Sequence, residues 1–201
     1  MNISATILAA GASLRMGGNN KLLLPFKNDT IIGKVCKTLI NSHLDPVFVV
    51  TGFESEKLVD SLPDSLDGII FNEDWSSGMS ASIIKAVSSL PNHIDGNMIV
   101  LGDMPLITVE TINKLHEVYL DNNADKIIYA DYMGIQANPV IFPKKFFGQI
   151  LELNGDHGCK KLIDKNKENS ISVPIDSLEV IFDCDNEKDY FTLVSTKIDN
   201  V

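Results

Sequence analysis

The chain has 201 residues, 44% hydrophobic and 22% charged, with a formal net charge of −10 and a pI near 4.7. That length suits one domain able to bury its own core, and the negative balance argues against a nucleic-acid or anionic-membrane partner. There is no apolar run long enough to span a bilayer and no basic-then-apolar leader. The three cysteines, Cys36, Cys159 and Cys184, are scattered without metal-site spacing, so a reducing cytoplasmic setting is expected.

The apolar run Ala5–Ala10 reads as a buried strand. It breaks at Gly11 into a loop that carries Arg15, Gly17, Gly18 and Lys21 before apolar character returns at Leu22–Leu24 and Pro25. A strand ending in such a loop lies at the carboxyl edge of a parallel sheet, where open α/β sheets bind ligands. Backbone N–H groups around glycines, joined by one Arg and one Lys, suit a polyphosphate. The Walker pattern fails, because five residues separate Gly11 from Gly17 and Asn20 precedes Lys21. The dinucleotide pattern fails as well, because Ser13 stands where its second glycine belongs.

Thr30–Ser42 keeps helical spacing through Ile31, Ile32, Val35, Leu39 and Ile40, with Thr30 or Asp29 as its cap. A short strand, Val47–Val50, stops at Thr51-Gly52; a helix over Glu54–Leu62 ends at Pro63, and Gly68–Phe71 forms the third strand. This alternation predicts βαβ units and a parallel sheet. Asn72–Ser82 then gathers small polar residues around Gly78, ahead of a helix over Ile83–Leu90. Its start offers N–H and hydroxyl donors, although simple serine capping explains the pattern equally well. Trp75, the one tryptophan, fits either a core position or a cover over the site.

Asn97–Leu101 is another buried strand, followed by Gly102-Asp103-Met104-Pro105. A carboxylate there shares the sheet edge with the first loop and is a hard oxygen donor of the kind magnesium takes alongside phosphate. A helix over Val109–Asn122, a strand over Lys126–Ala130, the segment Asp131–Phe142 and a helix over Lys144–Leu153 follow. The turn Gly155–Gly158 opens another helix through Lys165. Late strands are expected at Ile171–Val173 and Val180–Phe182. Asp183 and Asp185, two apart in extended chain, point the same way; an aspartate-rich helix start is the plainer alternative. No Ser-His-Asp or Cys-His set with supporting context occurs.

Several of these strings together resemble a known family. Leu8-Ala9-Ala10-Gly11-x-Ser13-x-Arg15-Met16-Gly17, with Lys21 and Leu23-Leu24-Pro25, looks like the signature loop of nucleotidyltransferases with a GT-A-type fold. Gly78-Met79-Ser80-x-Ser82, Val100-Leu101-Gly102-Asp103-Met104-Pro105, Pro139-Val140-x-Phe142, Gly155-Asp156-x-Gly158-x-Lys160 and Asp183-x-Asp185 followed by Asp189 extend the likeness from Ala5 to about Tyr190. It is most similar to the molybdenum-cofactor cytidylyltransferase branch of the MobA-like NTP transferases. Ala137-Asn138 replaces that family's usual Gly-His, Lys160 an Arg, and Asn186-Glu187 a Thr-Pro.

The resemblance implies a three-layer α/β/α, Rossmann-like fold with a mostly parallel mixed sheet, in one domain over residues 1–195 with a tail at 196–201. It implies Mg²⁺-dependent transfer of CMP from CTP to molybdenum–molybdopterin cofactor with release of pyrophosphate. GTP-dependent guanylyl transfer and transfer to a sugar phosphate are alternatives, as is a nucleotide-binding chaperone without turnover. Transient contact with a recipient molybdoenzyme or its chaperone is implied too. Leu8, Ala9, Ala10, Gly11, Ser13, Arg15, Gly17, Lys21, Thr51, Gly78, Ser80 and Ser82 would bind the nucleotide. Lys21, Arg15 and Asp103 would serve catalysis. Asp103 would bind the metal with Asp185 or Asp183, and Asp156 and His157 would face the acceptor. The choice of CTP follows from Ala10, where the guanylyl branch tends to carry glycine, and from Gly78-Met79-Ser80.

Overall fold

β1 (Ile3–Ala9) is buried almost end to end, as a parallel strand covered on both faces must be. In the computed structural model, which describes residues 1–13, 15, 16, 20–155 and 158–195, this strand lies inside a seven-stranded sheet. After it come a 3₁₀ turn at Lys21–Leu23, the small antiparallel ribbon of β2 (Pro25–Phe26) and β3 (Asp29–Thr30), and α1 (Ile31–Ile40). β4 (Val47–Thr51), α2 (Ser55–Val59), β5 (Gly68–Phe71), α3 (Met79–Ser88), β6 (Gly96–Leu101) and α4 (Val109–Asp121) follow. β7 (Ile127–Tyr132), β8 (Ile135–Pro143), α5 (Phe147–Leu151), α6 (Lys160–Lys165), β9 (Ser170–Pro174) and α7 (Glu187–Ser195) complete the order. The expected tail at 196–201 lies outside the described residues.

The sheet order is β5-β4-β1-β6-β8-β7-β9. β5, β4, β1 and β6 run parallel, β8 is antiparallel to both β6 and β7, and β9 is parallel to β7. The chain moves from β1 outward to β4 and β5, then returns across β1 to β6. The crevice between β1 and β6 is therefore the point where the winding reverses, which is where such sheets place ligands.

Two apolar layers flank the sheet. On one face Ile7 and Ala5 of β1 meet Val35 and Leu39 of α1, Leu58 of α2, Leu115 of α4 and Leu193 of α7. On the other, Val50 of β4, Ile99 of β6 and Phe142 of β8 meet Ile83 of α3, Ile150 of α5 and Leu162 of α6. The fold is thus the three-layer arrangement with a mostly parallel mixed sheet that the resemblance implies. Ser4 and Thr6 interrupt the apolar strand at no unmet cost to their hydroxyls: both donate to the Asn97 side-chain carbonyl on β6, at 2.8 and 3.0 Å. Among the described residues no helix is long and apolar enough to cross a membrane.

Where elements depart from the predicted spans, short-range chemistry is responsible. Thr30 caps α1 by accepting the Gly33 N–H at 3.0 Å. α3 starts at Met79, four residues before the predicted Ile83, because Gly78 turns the chain at φ 98° and the small residues Ser80 and Ala81 carry no apolar period to read. α2 ends at Val59 rather than Leu62, and the helix predicted over Lys144–Leu153 begins as a 3₁₀ turn, Lys144–Phe146. Val180–Phe182 is not a strand. Ser177 accepts the Glu179 N–H to open a 3₁₀ turn over Leu178–Val180, and the Glu179 carboxylate turns inward to accept from the hydroxyls of Thr108 and Thr111.

Candidate functional site

The carboxyl ends of β4, β1 and β6 lie side by side. The Gly102 N–H donates to the Leu8 carbonyl at 2.9 Å, and the Phe53 N–H to the Ala10 carbonyl at 3.1 Å. Leu8, Ala9 and Ala10 thus form a floor whose side chains turn into the core or the sheet, with Ala9 and Ala10 buried. Gly102 allows the close approach: a Cβ there would sit 2.9 Å from the Leu8 carbonyl oxygen and 3.0 Å from Ile32 Cδ1. Gly11 is the opposite case, since a Cβ would meet nothing within 4 Å among the described residues.

The loop after β1 folds back on itself. Ser13 takes a left-handed conformation (φ 51°). Its carbonyl accepts the Met16 N–H at 2.9 Å, and its hydroxyl accepts the Lys21 N–H at 3.1 Å. Asn20, buried, accepts the Leu22 N–H at 3.2 Å to start the turn that carries Lys21. These local bonds aim the Lys21 ammonium across the crevice. It donates to Asp103 Oδ2 at 2.5 Å and to Asp185 Oδ1 at 2.7 Å, partners 82 and 164 residues away. Arg15 Nη1 reaches the other oxygen, Asp185 Oδ2, at 2.7 Å.

Asp103, Asp183 and Asp185 form a cluster whose carboxylate oxygens lie within 4.8 Å of one another. The main chain holds the two strings together, because the Cys184 N–H donates to the Asp103 carbonyl at 3.0 Å. Glu179, clamped by Thr108 and Thr111 at the start of α4, anchors the segment that leads to Asp183. The charges show in the acidities. Burial works to lower the Lys21 pKa, but the charges and hydrogen bonds of Asp103 and Asp185 outweigh it and hold the ammonium proton more firmly than usual. The Lys21 hydrogen bond, with Lys21 and Arg15 charge behind it, holds the Asp185 carboxyl below the usual range. Burial, then the Asp185 and Asp103 charges, push Asp183 up. Burial raises the Cys184 thiol to about 11, so it is no thiolate at neutral pH.

An all-oxygen donor set suits a hard divalent cation. The Asp103 Oδ1 atom is buried and has no hydrogen-bond partner among the described residues. A buried carboxylate oxygen in that condition has room for a donor or a cation, and with Asp183 and Asp185 the cluster can hold a divalent ion.

Gly78, Ser80 and Ser82 lie at the start of α3, with the Ser80 hydroxyl buried and without a partner among the described residues. Ser82 accepts from the Asn72 amide at 3.2 Å, and the Asn72 carbonyl accepts the Asp74 N–H at 3.1 Å. Thr51, buried at the end of β4, accepts the Ser55 hydroxyl at 2.8 Å. Trp75 packs on the floor: a Cβ on Gly52 would lie 2.5 Å from Trp75 Cβ and 2.9 Å from Ala10 Cβ, and its ring meets Phe53 edge-on at 5.4 Å.

Of the residues expected at the site, Arg15, Lys21, Asp103, Asp183 and Asp185 come together. Asp189 does not join them; it accepts the N–H groups of Asp185 and Asn186, each at 3.1 Å, at the start of α7. Gly17, Asp156 and His157 lie outside the described residues. The supporting residues Asn20, Asn72 and Glu179 are absent from the expected set. Asn20 and Asn72 each stand two residues before an N–H they accept, the spacing of an Asx turn, which is a readable signal. Glu179 works through hydroxyls on a distant helix, for which no local signal exists.

Residues 5–170 match the model of the MobA-like NTP transferase domain. The chain is 30% identical over 165 residues to purine catabolism protein PucB of Bacillus subtilis (strain 168), covering 78% of each. It is 30% identical over 141 residues to nicotine blue oxidoreductase of Paenarthrobacter nicotinovorans, covering 69% of this chain and 66% of that one. The crystal structure of Rv0371c from Mycobacterium tuberculosis H37Rv superposes with a TM-score of 0.84 at 25% identity, covering 96% of this chain and 97% of that one. A second structure of that protein, in complex with manganese, superposes with a TM-score of 0.81 at 23% identity, covering 98% and 100%.

Proposed function

From the premise that the chain belongs to the MobA-like NTP transferase family and is a nucleotidyltransferase, we propose that it transfers CMP from CTP to the phosphate of molybdenum–molybdopterin cofactor, with Mg²⁺ as its metal. One observation carries this reading: the glycine-bearing loop delivers Lys21 and Arg15 onto the Asp103–Asp183–Asp185 cluster at the carboxyl edge of the sheet. Cations for phosphate oxygens and carboxylates for a metal thus meet in one crevice.

In the proposed reaction an oxygen of the acceptor phosphate attacks the α-phosphorus of CTP. A new P–O bond forms, the bond from the α-phosphorus to the bridging oxygen breaks, and pyrophosphate leaves with the electron pair. Mg²⁺ held by Asp103 and Asp185, with Asp183 beside them, would draw negative charge from the phosphate oxygens. Lys21 and Arg15 neutralise charge that develops as the two anions approach. Gly11 leaves the strand end open for the ligand, and the N–H groups and hydroxyls at the start of α3 face ribose and base in this reading. Orientation of two bound substrates supplies much of the acceleration in such a transfer. The preference for CTP draws on the likeness at Ala10 and Gly78-Met79-Ser80, and the Mn²⁺ bound to the fold relative Rv0371C supports a divalent ion at the cluster.

Pyrophosphate release in the presence of Mg²⁺, measured with CTP and with GTP and with or without molybdenum cofactor, tests the reading. Cofactor-dependent release from CTP alone is the expected result. Release from GTP alone, or release with no need for the cofactor, counts against it. Gly11→Ala gives a sharper check. Its Cβ meets no atom of the described residues within 4 Å, so the thermal midpoint should hold within a degree or two. The KM for CTP should rise about tenfold, because the methyl narrows the space given to the nucleotide.

A further inference from the structure

The two cations of the phosphate loop are engaged with the cluster's own carboxylates. Lys21 bridges Asp103 Oδ2 and Asp185 Oδ1, and Arg15 takes Asp185 Oδ2, so both Asp185 oxygens carry a cation. The Lys21–Asp103 pair is well shielded, each side chain being 15% exposed, whereas Arg15 is 73% exposed. Asp103 Oδ1 is open to a divalent ion entering alone, but Asp185 has both oxygens held by cations, Lys21 and Arg15, each at 2.7 Å, and Lys21 also holds Asp103 Oδ2. The displaced Lys21 would then stand a few ångströms from a dication in a partly buried crevice, where like charges repel strongly. A metal already chelated by a triphosphate brings its own anionic oxygens. Lys21 and Arg15 can then leave the carboxylates for the phosphates without losing a partner.

We infer that Lys21 and Arg15 act as internal counter-ions that guard the carboxylate cluster against free divalent ions and yield it to a metal–triphosphate complex. The inference rests on the proposed nucleotide reading and adds the form in which the metal enters. It gives Lys21 opposite effects on two ligands. Towards free metal it is a competitor; towards the chelate it is a binding group.

The test is a pair of titrations on the full-length protein. Free Mn²⁺ binding is read by electron paramagnetic resonance without nucleotide, and Mg²⁺–CTP binding by calorimetry or by the fluorescence of Trp75. Lys21→Met should bind free Mn²⁺ about tenfold more tightly than wild type and Mg²⁺–CTP about tenfold more weakly, within the ordinary range of site coupling. Arg15→Gln, at an exposed position that the fold does not depend on, should change both in the same directions by roughly two- to threefold. Asp103→Asn should lose Mn²⁺ affinity. Variants at both cations that bind free Mn²⁺ no more tightly than wild type would overturn the inference, as would an absence of Mn²⁺ binding in every protein. Tighter Mn²⁺ binding by Lys21→Met in a protein that binds no Mg²⁺–CTP even as wild type would support the guarding role and refute the nucleotide reading.

Discussion

Asp103→Asn is expected to lower pyrophosphate release by about 10³-fold, the scale on which removal of one well-placed electrostatic group acts, with a thermal midpoint within a few degrees of wild type. Asp103 is where the site's contacts converge. Its Oδ2 holds Lys21 and its Oδ1 is buried without a described partner. Its carbonyl accepts the Cys184 N–H, which fixes the chain carrying Asp183 and Asp185. Asparagine preserves the shape, the main-chain bond and, through its amide oxygen, an acceptor for Lys21, but removes the negative charge and puts an NH₂ donor where one oxygen ligand stood. The fold therefore persists while the divalent cation loses a ligand, so the Mg²⁺ concentration for half-maximal rate should move up as the maximal rate falls. Enzyme assay against Mg²⁺ concentration, paired with thermal unfolding, separates the two effects. Turnover within tenfold of wild type at unchanged Mg²⁺ dependence would remove Asp103 from the metal site.

Gly102→Ala should injure stability and activity together. The added Cβ would lie 2.9 Å from the Leu8 carbonyl oxygen, an acceptor built into β1, and 3.0 Å from Ile32 Cδ1. A backbone oxygen cannot swing aside as a side-chain tip can, so the turn after β6 must shift. Overpacking of this kind costs about 2 kcal/mol, readable as a lower midpoint in urea. Because Asp103 is the next residue, a displacement of even 1 Å should also cost about 10²-fold in turnover. Gly148→Ala is the control. A Cβ at Gly148 meets nothing within 4 Å, and alanine favours the helix it sits in, so stability should hold or rise slightly with activity unchanged. Equal behaviour of the two alanines would show that the contact between β1 and the Gly102 turn does not position Asp103.

Much of the fold is legible from local pattern. Ala5–Ala10, Val47–Val50 and Asn97–Leu101 are short apolar runs closed by glycine or threonine, and the sheet uses them as β1, β4 and β6. The helical period of Ile31, Val35 and Leu39 recovers α1, whose apolar stripe packs on that sheet. Pattern fails where apolar residues are few or serve another purpose. The first turn of α3 is built from Met79, Ser80 and Ala81 and has no stripe to read. Val180–Phe182 resembles a strand because three apolar residues adjoin, yet Val180 is the buried last residue of a 3₁₀ turn pinned by Glu179. β8 pairs with β6 and β7 through non-local hydrogen bonds, and the run Asp131–Phe142 alone does not announce where it bends.

The residue types at the site belong to the sequence: a cation-bearing glycine loop after a buried strand, an aspartate after another, and a late aspartate pair. Spacing and chemistry are enough to assign the loop and Asp103 to one sheet edge, because parallel strands present their carboxyl ends together, whereas the aspartate pair follows no strand and only the family resemblance links it to them. What only the tertiary structure decided is how they meet. Lys21 reaches Asp103 and Asp185 across 82 and 164 residues, distances over which no periodicity carries information. Asp183 and Asp185 both enter the cluster while Asp189 caps a helix, a division among similar carboxylates set by the Cys184–Asp103 main-chain bond and the turn into α7. The same chain segment could not settle that division by itself, since a carboxylate's role depends on which charges and N–H groups the fold sets within 3 or 4 Å of it.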